Sequence, residues 1–359
     1  MNLDDFLLFG KIDPQNMLGQ IDNLPNQLQS AWEMGQQQPS EGLEPAEDIT
    51  KVLISGMGGS AIGADLLTAY IAPFCKVPVI VQRDYSLPVW AHGPETLVVA
   101  SSHSGNTEET LAAFETAKNA RCRILVICTG GELEKRAAAT KIPVWKFNHK
   151  GQPRAAVGYS FGLLLAAFAR LGLIGEASGL TDEITSAVAA MKKQQVGLRP
   201  DVPMVQNPAK RLAGQLVGRW VNVFGSGVLA PVARRWKGQI NEIAKAGASF
   251  ELLPEADHNA LAGLHNPADM QSHTMTLFLR APSDHPRNQL RSKLTREGFS
   301  QEGLNTDVYE AQGISTLAHI WTALHFGDYL AYYLAMSYDT DPTPVDMLEN
   351  FKVAMKAAK

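Results

Sequence analysis

Short apolar runs, bounded by glycine and polar turns, alternate with longer stretches of helical periodicity along most of this chain. Residues 51–55, 77–82, 96–101, 123–128 and 142–147 predict strands. Helices at about 60–71 and 106–118 fall between them. Such alternation predicts a parallel sheet covered by helices on both faces. After helical stretches at 160–173 and 182–196 the pattern restarts. A strand over 220–224 runs into the glycine turn Gly225-Ser226-Gly227 and a helix to about 247, with further strands at 249–253, 274–280 and 307–309. A long helix over 317–338 and a C-terminal helix from about 345 complete the pattern. The expected fold class is α/β, with two divergent doubly wound units. Residues 1–45 read as a helical lead-in and polar, proline-containing linker, 46–195 as the first unit, and 196–359 as the second with the C-terminal helices.

Composition narrows the partners. With 359 residues, 45% hydrophobic and 19% charged, the chain has material for two packed cores. Its formal net charge of −4 argues against nucleic acid, which calls for a concentrated basic face. The basic cluster Arg234-Arg235-Trp236-Lys237 reads as a solvated helix face. Cys75, Cys122 and Cys128 show no CxxC spacing and fit buried thiols in a reducing compartment better than a disulfide frame or zinc site. The acidic N-terminus has no apolar run of secretory length, and the longest apolar region, 161–174, is interrupted by Arg170. No membrane association is expected, and the cytoplasm is the default location.

Two loops carry candidate chemistry. Ile54-Ser55-Gly56-Met57-Gly58-Gly59-Ser60-Ala61 ends a strand and opens a helix, whose free N–H groups suit an anion. Gly56-x-Gly58-x-x-Ala61 also satisfies the dinucleotide fingerprint, with Asp84 placed as a ribose-binding acid. The second loop, Ser101-Ser102-His103-Ser104-Gly105-Asn106-Thr107, supplies four hydroxyls in seven residues. Helix capping by Ser104 or Asn106 explains one hydroxyl, not four. Hydroxyls and backbone N–H groups can surround a phosphate without lysine, and a dinucleotide domain has no evident need of this loop, so a small phosphorylated ligand is favoured.

The sequence SGMGGSAIGADLL followed by SSHSGNTEETL resembles the sugar-isomerase (SIS) domain, a phosphosugar-binding α/β fold. That resemblance implies a phosphate cup from Gly58, Gly59, Ser60, Ser102, Ser104 and Thr107. His103 stands where tyrosine is more familiar and reads as a loop histidine. Pro153-Arg154, Asn241-Glu242, Asp257-His258-Asn259, and Asp341-Pro342-Thr343-Pro344-Val345 with Lys352 resemble, in order, the bifunctional phosphoglucose/phosphomannose isomerases. The resemblance runs from about residue 45 to the C-terminus. It implies interconversion of glucose 6-phosphate and/or mannose 6-phosphate with fructose 6-phosphate through a cis-enediol.

Such chemistry needs a carboxylate reaching C1 and C2, an acid/base group at the ring oxygen and O1, and a cation near the enediolate. The resemblance implies Glu242 as base, His258 and Lys352 for ring opening, and Arg154 at the enediolate. Thr343 is the candidate that leaves room for rotation about C2–C3 and so for both sugars. It implies no cofactor, no metal and a homodimer, in which His258 acts from the neighbouring subunit. Without the resemblance, Glu242 reads as a solvated ion pair with Lys245, Lys352 as a surface lysine, Arg154 as a structural salt bridge and Thr343 as a helix cap. Three other functions remain open at this point: an NAD(P)-dependent dehydrogenase resting on Gly56-x-Gly58-x-x-Ala61 and Asp84, a non-catalytic sugar-phosphate sensor, and a ketose-to-aminosugar isomerase of the same fold.

Overall fold

The computed structural model describes residues 2–39, 48–175 and 177–358. Three helices, α1 (Phe9–Ile12), α2 (Met17–Asp22) and α3 (Leu24–Gln37), precede the first strand. The first α/β unit runs β1 (Lys51–Ser55), α4 (Gly58–Ile71), β2 (Val79–Gln82), β3 (Thr96–Ser102), α5 (Glu108–Asn119), β4 (Arg123–Cys128), α6 (Gly131–Ala139) and β5 (Val144–Lys146). Helices α7 (Val157–Arg170), α8 (Ala177–Gln195) and α9 (Pro208–Leu216) lead to the second unit. That unit comprises β6 (Trp220–Ser226), α10 (Ala230–Glu242), β7 (Ala248–Leu253), β8 (Thr274–Arg280), α11 (Pro286–Gln301) and β9 (Asn305–Glu310). Helices α12 (Thr316–Ser337) and α13 (Asp346–Ala357) follow.

Both sheets are wholly parallel. The first has order β2-β1-β3-β4-β5 and the second β7-β6-β8-β9, so the second repeats the first four positions of the first. Every residue of β3 is buried, as expected of a strand covered on both faces. The predicted strands are present with ends moved by at most two residues. Helices α6, α9 and α11 were not anticipated. In α11, PRNQLRSKLTREGFSQ, apolar residues are sparse and only Ser292, Thr295 and Phe299 are buried, so its periodicity is faint.

The opening helices belong to the core. Leu28 and Trp32 of α3 are buried, and α3 packs on α7 and α8. Most of the polar linker expected near residues 36–48 lies outside the described residues. Helix α12 is buried from Leu317 to Met336 and packs against α8, α9 and α10, as well as α4 of the first unit. Phe161 of α7 meets Trp321 edge-on at 5.3 Å.

The basic cluster on α10 is not a solvated face. Arg235 is buried and forms a bidentate pair with buried Asp328, to which Gln239 also donates at 2.9 Å. The indole N–H of buried Trp236 donates to the Ala323 carbonyl at 2.8 Å. Three of the helix's polar or amphipathic groups therefore fasten it to α12, a use of polar residues that composition cannot separate from solvation. The three cysteines are free, with Cys128 buried and the other two half-buried. Among the described residues no helix is long and apolar enough to cross a membrane.

Candidate active site

The first glycine turn leaves β1 and becomes α4 at Gly58, whose φ of 51° lies in the left-handed region that glycine tolerates. A Cβ on Gly59 would stand 2.7 Å from the Pro153 carbonyl oxygen, so glycine is what allows the turn to approach the Arg154 segment. The N-cap residue of α4, Met57, makes no side-chain cap, and its carbonyl accepts from the Ser60 N–H at 3.1 Å, which leaves the N–H groups of Gly58 and Gly59 for an anion.

The hydroxyl-rich loop stands beside it, at the end of the neighbouring strand β3. The hydroxyls of Ser102 and Thr107 lie 2.9 Å apart, and the Gly105 N–H donates to Ser102 Oγ at 3.1 Å. Thr107 occupies the N-cap of α5 without capping it, so its hydroxyl is turned to Ser102 instead. Ser104 makes a local turn, accepting from the Asn106 N–H at 3.2 Å. Neither Ser104 nor Asn106 caps α5; Asn106 Oδ1 instead accepts from the Glu132 N–H in the first turn of α6 at 3.0 Å. His103 points away from these hydroxyls to His149, with Nε2 and Nδ1 at 2.9 Å, and burial draws it down to about 4. It is neutral at physiological pH.

Arg154 and Glu242 converge from different units. Arg154 sits in the short turn Pro153–Ala155 before α7, and Glu242 ends α10. Arg154 Nη1 lies 3.8 Å from Glu242 Oε2, with the arginine 5% and the glutamate 35% exposed. The guanidinium is held from behind: Nη2 donates to the carbonyls of Pro342, at 2.9 Å, and Thr343. Its Nε is buried without a partner. Burial lowers the pKa of Arg154 while the Glu242 carboxylate opposes that, and a guanidinium remains charged throughout.

Lys245 does not pair with the Glu242 carboxylate. Its ammonium donates to the backbone carbonyls of Glu242 (2.9 Å) and Asp341 (2.8 Å), tying the end of α10 to the segment before Thr343. Burial, and next the charge of Arg154, lower this ammonium to about 8. A Cβ on Gly238 would meet nothing within 4 Å, so the space beside Glu242 one turn earlier is open. The sequence pattern offers Lys245 only as an exposed ion-pair partner of Glu242. Its positive φ of 54° and its reach of 96 residues to Asp341 have no signature in the sequence.

Thr343 is buried, and its hydroxyl has no partner. It does not cap the last helix, whose N-cap is Val345. Two other predicted residues stand apart. His258 ends a short turn after β7 and is exposed. Its neighbours are anchored: Asp257 accepts from Arg291 at 2.8 Å and Thr295 at 2.7 Å. Glu242 comes shortly before β7 and His258 shortly after it. These two side chains therefore belong to opposite ends of β7, an edge strand of the second sheet whose six residues span roughly 17 Å in five steps of about 3.3 Å. Lys352 is exposed on α13 and pairs with Glu349 at 2.8 Å. Every described residue of α13 is exposed, including Leu348, Phe351 and Met355. Asp84, the ribose-acid candidate, accepts from the adjoining Tyr85 N–H at 2.7 Å on an exposed loop.

Comparison with known proteins joins the two units in one kind of protein. Residues 205–355 match the family described as bacterial phospho-glucose isomerase C-terminal SIS domain. The chain is 40% identical over 339 residues to a bifunctional phosphoglucose/phosphomannose isomerase of Caldicellulosiruptor bescii, covering 94% of this chain and 98% of that protein. It is 32% identical to the protein of the same description from Aquifex aeolicus, over 87% and 93% of the two chains. In structure it is similar to the C-terminal domain of glucosamine-fructose-6-phosphate aminotransferase from Francisella tularensis. The TM-score is 0.71 at 14% identity, covering 92% of this chain and 97% of that one.

Proposed function

Because the chain belongs to the bifunctional phosphoglucose/phosphomannose isomerase family, we infer that it interconverts glucose 6-phosphate and mannose 6-phosphate with fructose 6-phosphate. The observation that carries the mechanism is the Arg154–Glu242 approach at 3.8 Å, beside a glycine turn that itself abuts the Arg154 segment. The phosphate rests against Gly58, Gly59 and Ser60 and the hydroxyls of Ser102, Ser104 and Thr107. Glu242 takes the proton from C2 of the open-chain aldose and returns it to C1. Between the two transfers the sugar is a cis-enediol, whose developing negative charge Arg154 stabilises from a buried, backbone-anchored position. Glucose and mannose 6-phosphate differ only at C2, so the planar intermediate serves both if it can turn about C2–C3. The unpartnered Thr343 hydroxyl, next to the carbonyl that holds Arg154, is the candidate for permitting that turn.

Ring opening needs His258 and Lys352, and the topology of the second sheet supports their arrival from elsewhere. Since Glu242 and His258 flank opposite ends of β7, a single chain supplies the base without the histidine. A homodimer answers this by offering the His258 of a second copy to each Glu242. The uncovered apolar residues of α13, which also bears Lys352, favour the same association. A dilution series comparing turnover with molecular mass tests it: specific activity should fall as dimers dissociate. Full activity in a clean monomer rejects the shared site.

Fructose 6-phosphate in deuterated water, followed by NMR, tests the reaction. Both glucose and mannose 6-phosphate should form, each with deuterium at C2. Glucose 6-phosphate alone removes the role given to Thr343, and conversion without deuterium uptake argues against an exchangeable proton on Glu242.

A further inference from the structure

The second unit repeats the strand, glycine turn and helix that make the phosphate cradle of the first. Gly58 and Gly227 open the two turns with nearly the same backbone, φ 51° and 49°, after the corresponding strands β1 and β6. What stands on the turns differs. A Cβ at Gly58 would meet nothing within 4 Å, whereas one at Gly227 would lie 2.9 Å from Asp284 Oδ1. Asp284 follows β8, the counterpart of β3, and so comes from the loop that corresponds to the serine-rich loop of the first unit. It is 6% exposed. Its Oδ2 accepts from Ser226 Oγ at 3.1 Å and from the Ala281 N–H at 3.3 Å, while Oδ1 is buried without a partner.

We propose that the second unit contains a latent phosphate-ester site that the Asp284 carboxyl keeps shut, so that each chain takes one sugar phosphate, in the first unit. This rests on reading the first turn as the phosphate cradle. The carboxyl occupies the volume over the Gly227 turn and engages the adjacent Ser226 hydroxyl, leaving no room for a phosphate oxygen. Burial pushes Asp284 up to about 6, so at neutral pH its negative charge adds repulsion to bulk. Shortening the side chain exposes the turn and its N–H groups.

The test is a titration with inorganic phosphate at pH 7.5, followed by amide NMR and by calorimetry. In the unaltered protein the Gly59 and Ser60 amides should shift with saturation and those of Gly227 and Val228 should not. Asp284→Ser should add saturable shifts at Gly227 and Val228, and the calorimetric stoichiometry should rise from one to two per chain. Asp284→Gly should do the same, and Asp284→Asn, which preserves the bulk, should stay at one. Saturable shifts at Gly227 and Val228 in the unaltered protein overturn the proposal, whether or not the variants fold. Folded serine and glycine variants that both stay at one site overturn it as well. If Gly59 and Ser60 stay unmoved while Asp284→Ser gains a site, it is the first cradle that has been misread.

Discussion

The two α/β units share strand order and turn geometry, yet they divide the work of one site. In the first, the space over the glycine turn is open, two hydroxyls pair beside it, and the turn presses against the segment that carries Arg154. In the second, the matching turn is filled by Asp284, and the contribution to the site comes from the far end of the following helix, where Glu242 meets Arg154. Gripping a phosphate and moving a proton make different demands. The grip needs uncommitted N–H groups at a helix start. The base needs a carboxylate on a rigid element, and α10 is made rigid by the buried Arg235–Asp328 pair and the Trp236 bond to α12. A duplicated fold meets both demands by using one end of a strand–turn–helix in the first copy and the other end in the second.

The sharpest way to break this division is Glu242→Gln. Turnover should fall by about 10²–10⁴ while binding of fructose 6-phosphate and the circular dichroism spectrum stay near normal, because a positioned acid/base group is lost and the grip is not. Near-normal turnover would transfer the base elsewhere. Gly59→Ala attacks the junction instead. Its methyl would sit 2.7 Å from the Pro153 carbonyl, so the Arg154 segment must move; about a tenfold or larger loss of turnover is expected, with a lowered melting temperature. Unchanged kinetics would show that the segment yields freely.

Ser102→Ala and Ser226→Ala apply one change to both units. The first should raise KM about tenfold with little change in kcat, as loss of a contact present in ground and transition states does. Ser226→Ala should leave KM alone and cost about 1 kcal/mol of stability through its bond to Asp284. Matching effects on KM would erase the distinction between the turns.

The smallest expected effect is in the pH dependence of stability, where the two kinds of buried group carry opposite signs. His103, and His325 at the centre of α12, are drawn down by burial to about 4, below the ordinary value of 6.5. The unfolded chain therefore binds more protons between pH 6.5 and 4, and stability is lost as pH falls through that window. Asp284 is pushed up to about 6 from 3.8, so in the folded state it gains its proton first and adds stability as pH falls from 6 toward 4. Urea unfolding at pH 7 and pH 5 should show a net loss, and Asp284→Asn should steepen it by on the order of 1 kcal/mol. A shallower loss in that variant contradicts the sign assigned to Asp284.

What the chain determines by itself is local. Alternating apolar runs and helical stretches specify two parallel sheets, because strand and helix periods are written within a dozen residues. The glycine turn at 56–61 and the hydroxyls of 101–107 are legible for the same reason: each is one contiguous loop whose composition states its chemistry. The solvated reading of Arg235 and the ion-pair reading of Lys245 fail because a charged side chain on a helix has the same sequence signature in water and against a buried partner. Only the tertiary structure puts Arg154 against Glu242, 88 residues away, and against the Thr343 carbonyl, 189 residues away. It alone places His258 at the opposite end of the strands from Glu242 and sets Asp284 over Gly227. Such contacts follow from how α10 packs on α12 and both meet α4 of the first unit, a property of packed surfaces that no local pattern of residues encodes.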